Sequence, residues 1–499
     1  MNNKKNFLSK TIPLNTSKEG QIITILGVIF GLLLIYKFAS QANLMTSLSI
    51  AVLPISLVVF VFTILYYRRI FYALFISHFL ILLASSMTDN VMVGALTLVF
   101  NIVAMMLLIM VSVYRNTKWE NSWNGMLWIF LIWGLYCVAE LGNPNAVQYA
   151  WNVSITYYFV YPALCAILVP LTIRKYKSIE WLLILWSIFI LIAAAKGYWQ
   201  KNHGFNEREL YFLYVLGGAK THIIWSGIRY FSFFTDAANF GVHMAMAAFA
   251  FGMSFFFVGN KWLRLYFGVV TIAAIYGMFI SGTRTAMAIP LSGILFFAFI
   301  SRNWKALILS LFGFLVIFTF FRFTTVGESN QYIRKMRSAF TPKNDPSFIV
   351  RLENRERMKE YMADMPFGYG LGLGSKAERY NPDKLMPIPP DSWLVNVWTD
   401  TGVVGVTLYV IMHILLFAWC SWLLMFRVMS KRIRNILGVW LSVNFGFFVA
   451  AYANDVMQYP NMIVLYTGFA LCFAASNIDK KDRTLLKEDE EDKQYRLTI

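Results

Sequence analysis

Charge is scarce in this sequence. Only 14% of the residues are Asp, Glu, Lys or Arg, against 58% hydrophobic, and the mean hydropathy is +0.56. A soluble core cannot absorb so much apolar surface, so the 499 residues make one membrane-embedded helical bundle with loops, not several soluble domains. The apolar runs are continuous and do not alternate, which excludes a transmembrane β-barrel. Cysteine is scarcer still. Cys137, Cys165, Cys420 and Cys472 each fall inside an apolar run, with neither a disulfide framework nor metal-ligand spacing. The five histidines form no metal-ligating pair, and no metal is expected. His222 and His243 are weaker site candidates, weighed against packing roles. No charged residue falls at the middle of an apolar run, where it would cost ~2.5–3.5 kcal/mol and mark an ion pathway. Lys37, Lys196, Asp236 and Asp400 fall near run ends. Internal repeats and broken spans are also missing, which argues against a transporter or flippase. The glycines at 368, 370, 372 and 374 are not followed by Gly-Lys-Ser/Thr, so no phosphate loop is present. They fit a tight fold-back of the chain instead.

What remains is an orderly series of apolar runs. They predict an all-α polytopic bundle of about 12–14 transmembrane helices. The expected cores are 21–39, 48–66, 70–86, 91–113, 124–140, 154–173, 180–198, 236–258, 264–281, 285–301, 305–321, 403–426, 434–453 and 459–477. Each is long enough, or nearly so, for a ~30 Å hydrocarbon layer. The net charge of +18 follows from this architecture and not from nucleic-acid binding. Alternate linkers carry Arg68 and Arg69, then Arg115 and Lys118, then Arg174, Lys175 and Lys177, then Lys261 and Arg264, then Arg302 and Lys305, then Arg427, Lys431, Arg432 and Arg434. The short linkers between them are almost free of Lys and Arg. That alternation places both termini in the cytoplasm. The division is then a cytoplasmic N-terminus at 1–20, eleven membrane helices over 21–321 with an outer loop at 199–235, a large periplasmic loop at 322–402, three helices over 403–477, and a cytoplasmic tail at 478–499. The first apolar run is too long for a signal-peptide core and is expected to stay as an uncleaved span. The tail, with its acidic run at 488–492, is expected to be solvated and disordered.

The outer segments break the basic-inside pattern. Arg284 is the sharpest case, because it sits in the short turn Ser281-Gly282-Thr283-Arg284-Thr285 at a membrane boundary. Four segments make the candidate site. The first runs from Arg229 through Asp236 and Asn239 into a span. The second is the Arg284 turn. The third holds Arg351 and Arg355, one helical turn apart on a shared face, followed by the glycines including Gly370 and Gly372. The fourth runs from Asp391, Ser392 and Trp393 to Asp400 and Gly402. Guanidinium forks match phosphate oxygens at two points, and the anion to expect at a membrane surface is a lipid phosphate or diphosphate. Any one of these arginines alone is as well explained by snorkelling to headgroups. Asp391 is the first candidate for a base and Asp400 the second, with helix capping the competing role for Asp391. Asp236 either orients Arg229 or caps its helix.

From about Arg229 to Gly405 the sequence resembles the O-antigen ligase and O-antigen polymerase superfamily of bacterial envelope enzymes. The resemblance lies in the Arg229-to-Asn239 entry, the Ser-Gly-Thr-Arg turn, the Arg351-to-Gly372 stretch and the ending Asp400-Thr401-Gly402-Val403-Val404-Gly405. It implies a GT-C-like bundle in the bacterial inner membrane with a periplasmic active site holding short helices. It also implies an undecaprenyl-diphosphate-linked glycan donor, a glycan, lipid A core or protein acceptor, and contact of Arg229, Arg284 and Arg351 with the diphosphate. No metal or other cofactor is implied. The remaining partners would be membrane lipids and, for a polymerase, a chain-length regulator. Ligases of this family usually have His-Asn where this chain has Asp391-Ser392, so the resemblance leans towards a polymerase over a ligase or protein O-transferase.

Overall fold

The computed structural model describes residues 67–497 except 88–92, 115–116, 225–226, 303, 339, 341–345, 375–385 and 389. The spans expected at 21–39 and 48–66 lie outside these residues. The remaining twelve expected spans are all helical. They are α1 (Ile70–Ser85), α2 (Val93–Tyr114), α3 (Gly125–Ala139), α4 (Gln148–Thr172), α5 (Tyr176–His203), α7 (Ala237–Phe257), α8 (Lys261–Ile280), α9 (Ala288–Ile300), α10 (Trp304–Phe323), α13 (Trp393–Trp422), α14 (Lys431–Ala451) and α15 (Asn461–Leu497). Among the described residues nine helices are long and apolar enough to cross a membrane, and three more are shorter apolar helices. This is a polytopic helical membrane protein. Lipid offers no partners to backbone N–H and C=O groups, so apolar runs of this length must close their hydrogen bonds within a helix.

Polar residues at the run ends set the boundaries. Asn124, Asp236, Asn260, Ser392 and Ser430 each accept a hydrogen bond from a backbone N–H in the first turn of the helix that follows. The centre of the bundle is α7, α14 and α15, whose spans are buried over 72%, 72% and 83% of their length, against 28% for α2. Around it, α8 packs on α7, α9 on α14 and α4 on α15. Leu135, Ile272 and Ile414 lie exposed on the outer helices, as a lipid-facing surface requires. The last helix continues unbroken to Leu497, so the tail expected to be disordered is helical.

A polar thread runs through the centre. The Trp186 indole N–H donates to His243 Nε2 at 2.9 Å, which fixes the ring proton on Nδ1, and that N–H donates to Asn461 Oδ1 at 2.8 Å. Asn461 donates to Asn239 Oδ1 at 3.0 Å, and Asn239 donates to Asp236 at 2.6 Å. His243 is therefore a satisfied interior residue that ties α5, α7 and α15 together.

One end of the bundle carries the loop structure. It includes the short helices α6 (Glu207–Tyr214), α11 (Gln331–Ser338) and α12 (Pro346–Met362), and a two-residue antiparallel ladder, β1 (Ile223–Ile224) with β2 (Gly227–Ile228).

Candidate functional site

The first wall of the site is the chain between α6 and α7. His222 pins it. Its Nε2 accepts the Ala237 N–H at 3.1 Å, so Nδ1 carries the proton and donates to the Gly218 carbonyl at 2.9 Å. Burial lowers its pKa. The His222 carbonyl accepts the Arg229 N–H at 2.8 Å, which places Arg229 at the end of β2. Its guanidinium donates to the carbonyls of Ser281 at 3.3 Å and Thr221 at 3.1 Å and to Thr283 Oγ1 at 3.1 Å. Three of its five N–H groups are thus used, all on neutral oxygens, and two remain. Asp236 caps α7 through the N–H groups of Ala238 and Asn239. Its charge also reaches Arg229.

The second wall is the turn after α8. Gly282 takes φ 60°, and Thr283 Oγ1 donates to the Ala237 carbonyl at 2.8 Å, locking the turn to the start of α7. Gly241 makes that approach possible, since a Cβ there would sit 2.2 Å from Ser281 Oγ. Arg284 emerges from this turn and donates to Ser338 Oγ on α11 at 3.0 Å. On the same helix Lys335 is 7% exposed and donates to the Gly227 carbonyl at 3.3 Å.

The third wall is α12 with the loop between α14 and α15. Arg351 donates to Asn454 Oδ1 at 2.9 Å, and the Asn454 amide donates to Thr285 Oγ1. Arg355 donates to the Tyr452 carbonyl at 3.0 Å and lies over the Tyr452 ring. Between them Asn354 donates to Asp391 Oδ2 at 3.1 Å. Asp391 is half-buried, and Ser392, not Asp391, caps α13.

Arg229 lies within reach of the charges of both Arg284 and Arg351. Burial lowers the pKa of Arg229; the charge of Asp236 raises it, and those of Arg284 and Arg351 lower it again. Lys335 is lowered from 10.5 to about 8, first by burial and then by Arg229, Arg284 and Arg334. Cations from four separate elements therefore sit in one another's field in a partly dehydrated place, an arrangement that an anion stabilises.

The glycine segment folds back onto α13. The N–H groups of Tyr369 and Gly370 donate to the carbonyls of Thr399 and Asp400 at 2.9 and 3.0 Å. Gly402, at φ 66°, kinks α13, and a Cβ there would sit 2.0 Å from the Pro366 carbonyl oxygen. Gly372 passes Ser154 as closely, with a Cβ 2.3 Å from its Oγ. Gly402→Ala is expected to cost at least about 2 kcal/mol, because the left-handed conformation and the close approach both resist a side chain. A thermal melt of the purified protein measures this, and an unchanged midpoint contradicts the packing described.

Asp400, the second base candidate, and Trp393 are both buried. Asp400 is fully buried, with Oδ1 accepting the Gly374 N–H at 2.7 Å and Oδ2 the Tyr158 hydroxyl at 3.0 Å. It holds the glycine segment and is not hydrogen-bonded to the arginines. Trp393 is buried among Tyr157, Tyr158 and Tyr409 and donates to the Tyr409 hydroxyl at 2.9 Å. Gly370 and Gly372 shape the fold-back. Helix α13 begins at 393, and the expected start at 403 coincides with its kink.

Residues 267–410 match a family model described as O-antigen ligase. Over this stretch the chain is similar to that family. A comparison with curated proteins finds no match. The match supports an O-antigen ligase/polymerase-type membrane enzyme, with a lipid-linked glycan donor and a glycan acceptor in general.

The matched stretch runs from α8 into α13 and contains Arg284, Lys335, Arg351, Arg355, Asp391 and Asp400. Arg229 and Asn454 reach the same place from outside it. Two residues of the cluster were not singled out from sequence as site residues. Lys335 is one of many basic residues in the long segment between α10 and α13, and the packing of α11 buries it. Asn454 lies in a linker almost free of Lys and Arg, and it joins Arg351, Thr285 and the backbone N–H of Trp393.

Proposed function

We propose that this protein is a surface-polysaccharide polymerase. It moves a glycan from an undecaprenyl-diphosphate carrier to a hydroxyl of a second carrier-linked repeat at the periplasmic face of the bacterial inner membrane. The convergence of Arg229, Arg284, Lys335 and Arg351 carries the reading. The orientation has separate support. Arg68, Lys118, Arg174 and Lys175 all act on Lys481, so the basic linkers gather together in one place, as a cytoplasmic face would have them. The arginine cluster is carried by the other set of linkers.

In the reaction the acceptor oxygen attacks the anomeric carbon as the bond from that carbon to the diphosphate oxygen breaks. The configuration inverts. Negative charge grows on the departing undecaprenyl diphosphate, and fixed guanidiniums stabilise it more in the transition state than in the ground state. The cluster supplies this charge without a metal. The acceptor proton passes to Asp391, held by Asn354, which lies between Arg351 and Arg355 on α12. Arg355 is anchored on Tyr452 and supports this edge of the site. Two open apolar grooves run along α13, both lined by Phe417 and Phe445, and suit a hydrocarbon chain better than a sugar.

Asp391-Ser392 in place of the usual His-Asn favours a polymerase over a lipid A core ligase or protein O-transferase. Deleting the gene and analysing the surface glycan tests this. A polymerase mutant displays single repeats. Loss of all surface glycan with long carrier-linked polymer retained would indicate a ligase, and loss with single repeats trapped on the cytoplasmic side would indicate a flippase.

A further inference from the structure

Lys335 is placed unlike any other lysine among the described residues. It is 7% exposed, and no carboxylate of the described residues lies within ion-pair distance of it. Lysine is almost never this buried without a partner. Its one hydrogen bond goes to a neutral oxygen, the Gly227 carbonyl, which leaves two ammonium N–H groups for another acceptor. The charged groups acting on it are Arg229 from the loop after β2, Arg284 from the turn after α8, and Arg334 from its own helix, all cations. Gln331, on the same helix and against Gly227, is neutral. The ammonium lies at the tip of the turn that presents Arg284, since a Cβ on Gly282 would be 3.3 Å from Lys335 Nζ and from Arg229 Cγ. Its seat is firm. Met336, the next residue, is buried against Met287 and Phe321.

We propose that Lys335 is a diphosphate-binding residue of this site, and that its protonation sets the affinity for the lipid-diphosphate donor. This rests on the polymerase reading above. The ammonium form offers its two remaining N–H groups to a phosphate oxygen; the neutral amine offers no charge. The direction of the titration follows from the surroundings. With the pKa brought down to about 8 by burial and the neighbouring cations, the charge is present at neutral pH and is lost as pH rises through that value. A bound dianion holds the proton on, so binding and protonation favour each other.

Titration of the purified protein with farnesyl diphosphate, a soluble prenyl diphosphate, between pH 7 and 9.5 tests this. In the wild type, affinity is expected to fall roughly tenfold from pH 7 to pH 9. Lys335→Arg keeps its charge throughout and is expected to hold near wild-type affinity with a flat profile. Lys335→Met is expected to bind weakly at every pH. Thermal melts of each variant separate lost binding from lost fold, and the charge-retaining Lys335→Arg guards against a misfolded Lys335→Met. If Lys335→Arg shows the wild-type slope, or if the wild-type profile is flat while Arg284→Lys still weakens binding, the role given to Lys335 is wrong and the diphosphate site stands. If neither Arg284→Lys nor Lys335→Met changes binding, the diphosphate reading fails and this inference with it.

Discussion

Arg284→Ala should lower the rate of glycan transfer by roughly 10²–10³, the usual effect of removing one preorganised donor from a developing oxyanion. Arg284 leaves a short turn that is locked to α7 by Thr283 and is steadied on α11 through Ser338. In this account its guanidinium has two tasks, the Ser338 contact and a two-point match to a phosphate. A lysine at this position has one ammonium for both tasks, so Arg284→Lys is expected to recover only part of the loss. Initial rates with a defined lipid-linked repeat measure both variants. Full activity in Arg284→Lys would remove the two-point contact from the account.

Asp391→Asn should lower turnover by about 10²–10⁴, the range for losing a positioned base, while leaving donor affinity nearly unchanged. The asparagine carbonyl can still accept the Asn354 amide hydrogen bond, so the local fold has little reason to change. The split between turnover and binding distinguishes a proton acceptor from a structural residue. A variant with wild-type turnover would move the base elsewhere. A variant that loses donor binding in step with turnover would make Asp391 part of the donor site.

The helices were legible in the sequence because the membrane leaves a long apolar run little choice, and every expected span within the described residues is helical. Arg229, Arg284 and Arg351 drew notice for a related reason, since cations in the linkers that should carry few need an explanation. Burial of the remaining polar groups was not legible. Asp400 and Asp391 are both aspartates in one short outer stretch. Only the kink at Gly402 and the returning glycine segment turn Asp400 inward to Tyr158 and Gly374. Lys335 lies in a short, highly charged segment that reads as solvated until α11 packs Met336 against α10. The continued helix of α15 was missed because its polar, charged composition signals a solvated tail.

The most direct measurement combines the purified protein with one defined undecaprenyl-diphosphate-linked repeat and follows carrier and glycan together by mass spectrometry. We expect a product of twice the repeat length still on its carrier, with one free undecaprenyl diphosphate released per linkage formed, and both to appear roughly 10²–10³ times more slowly in the Arg284→Ala variant. Intact donor after long incubation with folded wild-type protein, or glycan transfer undiminished in Arg284→Ala, would contradict the account.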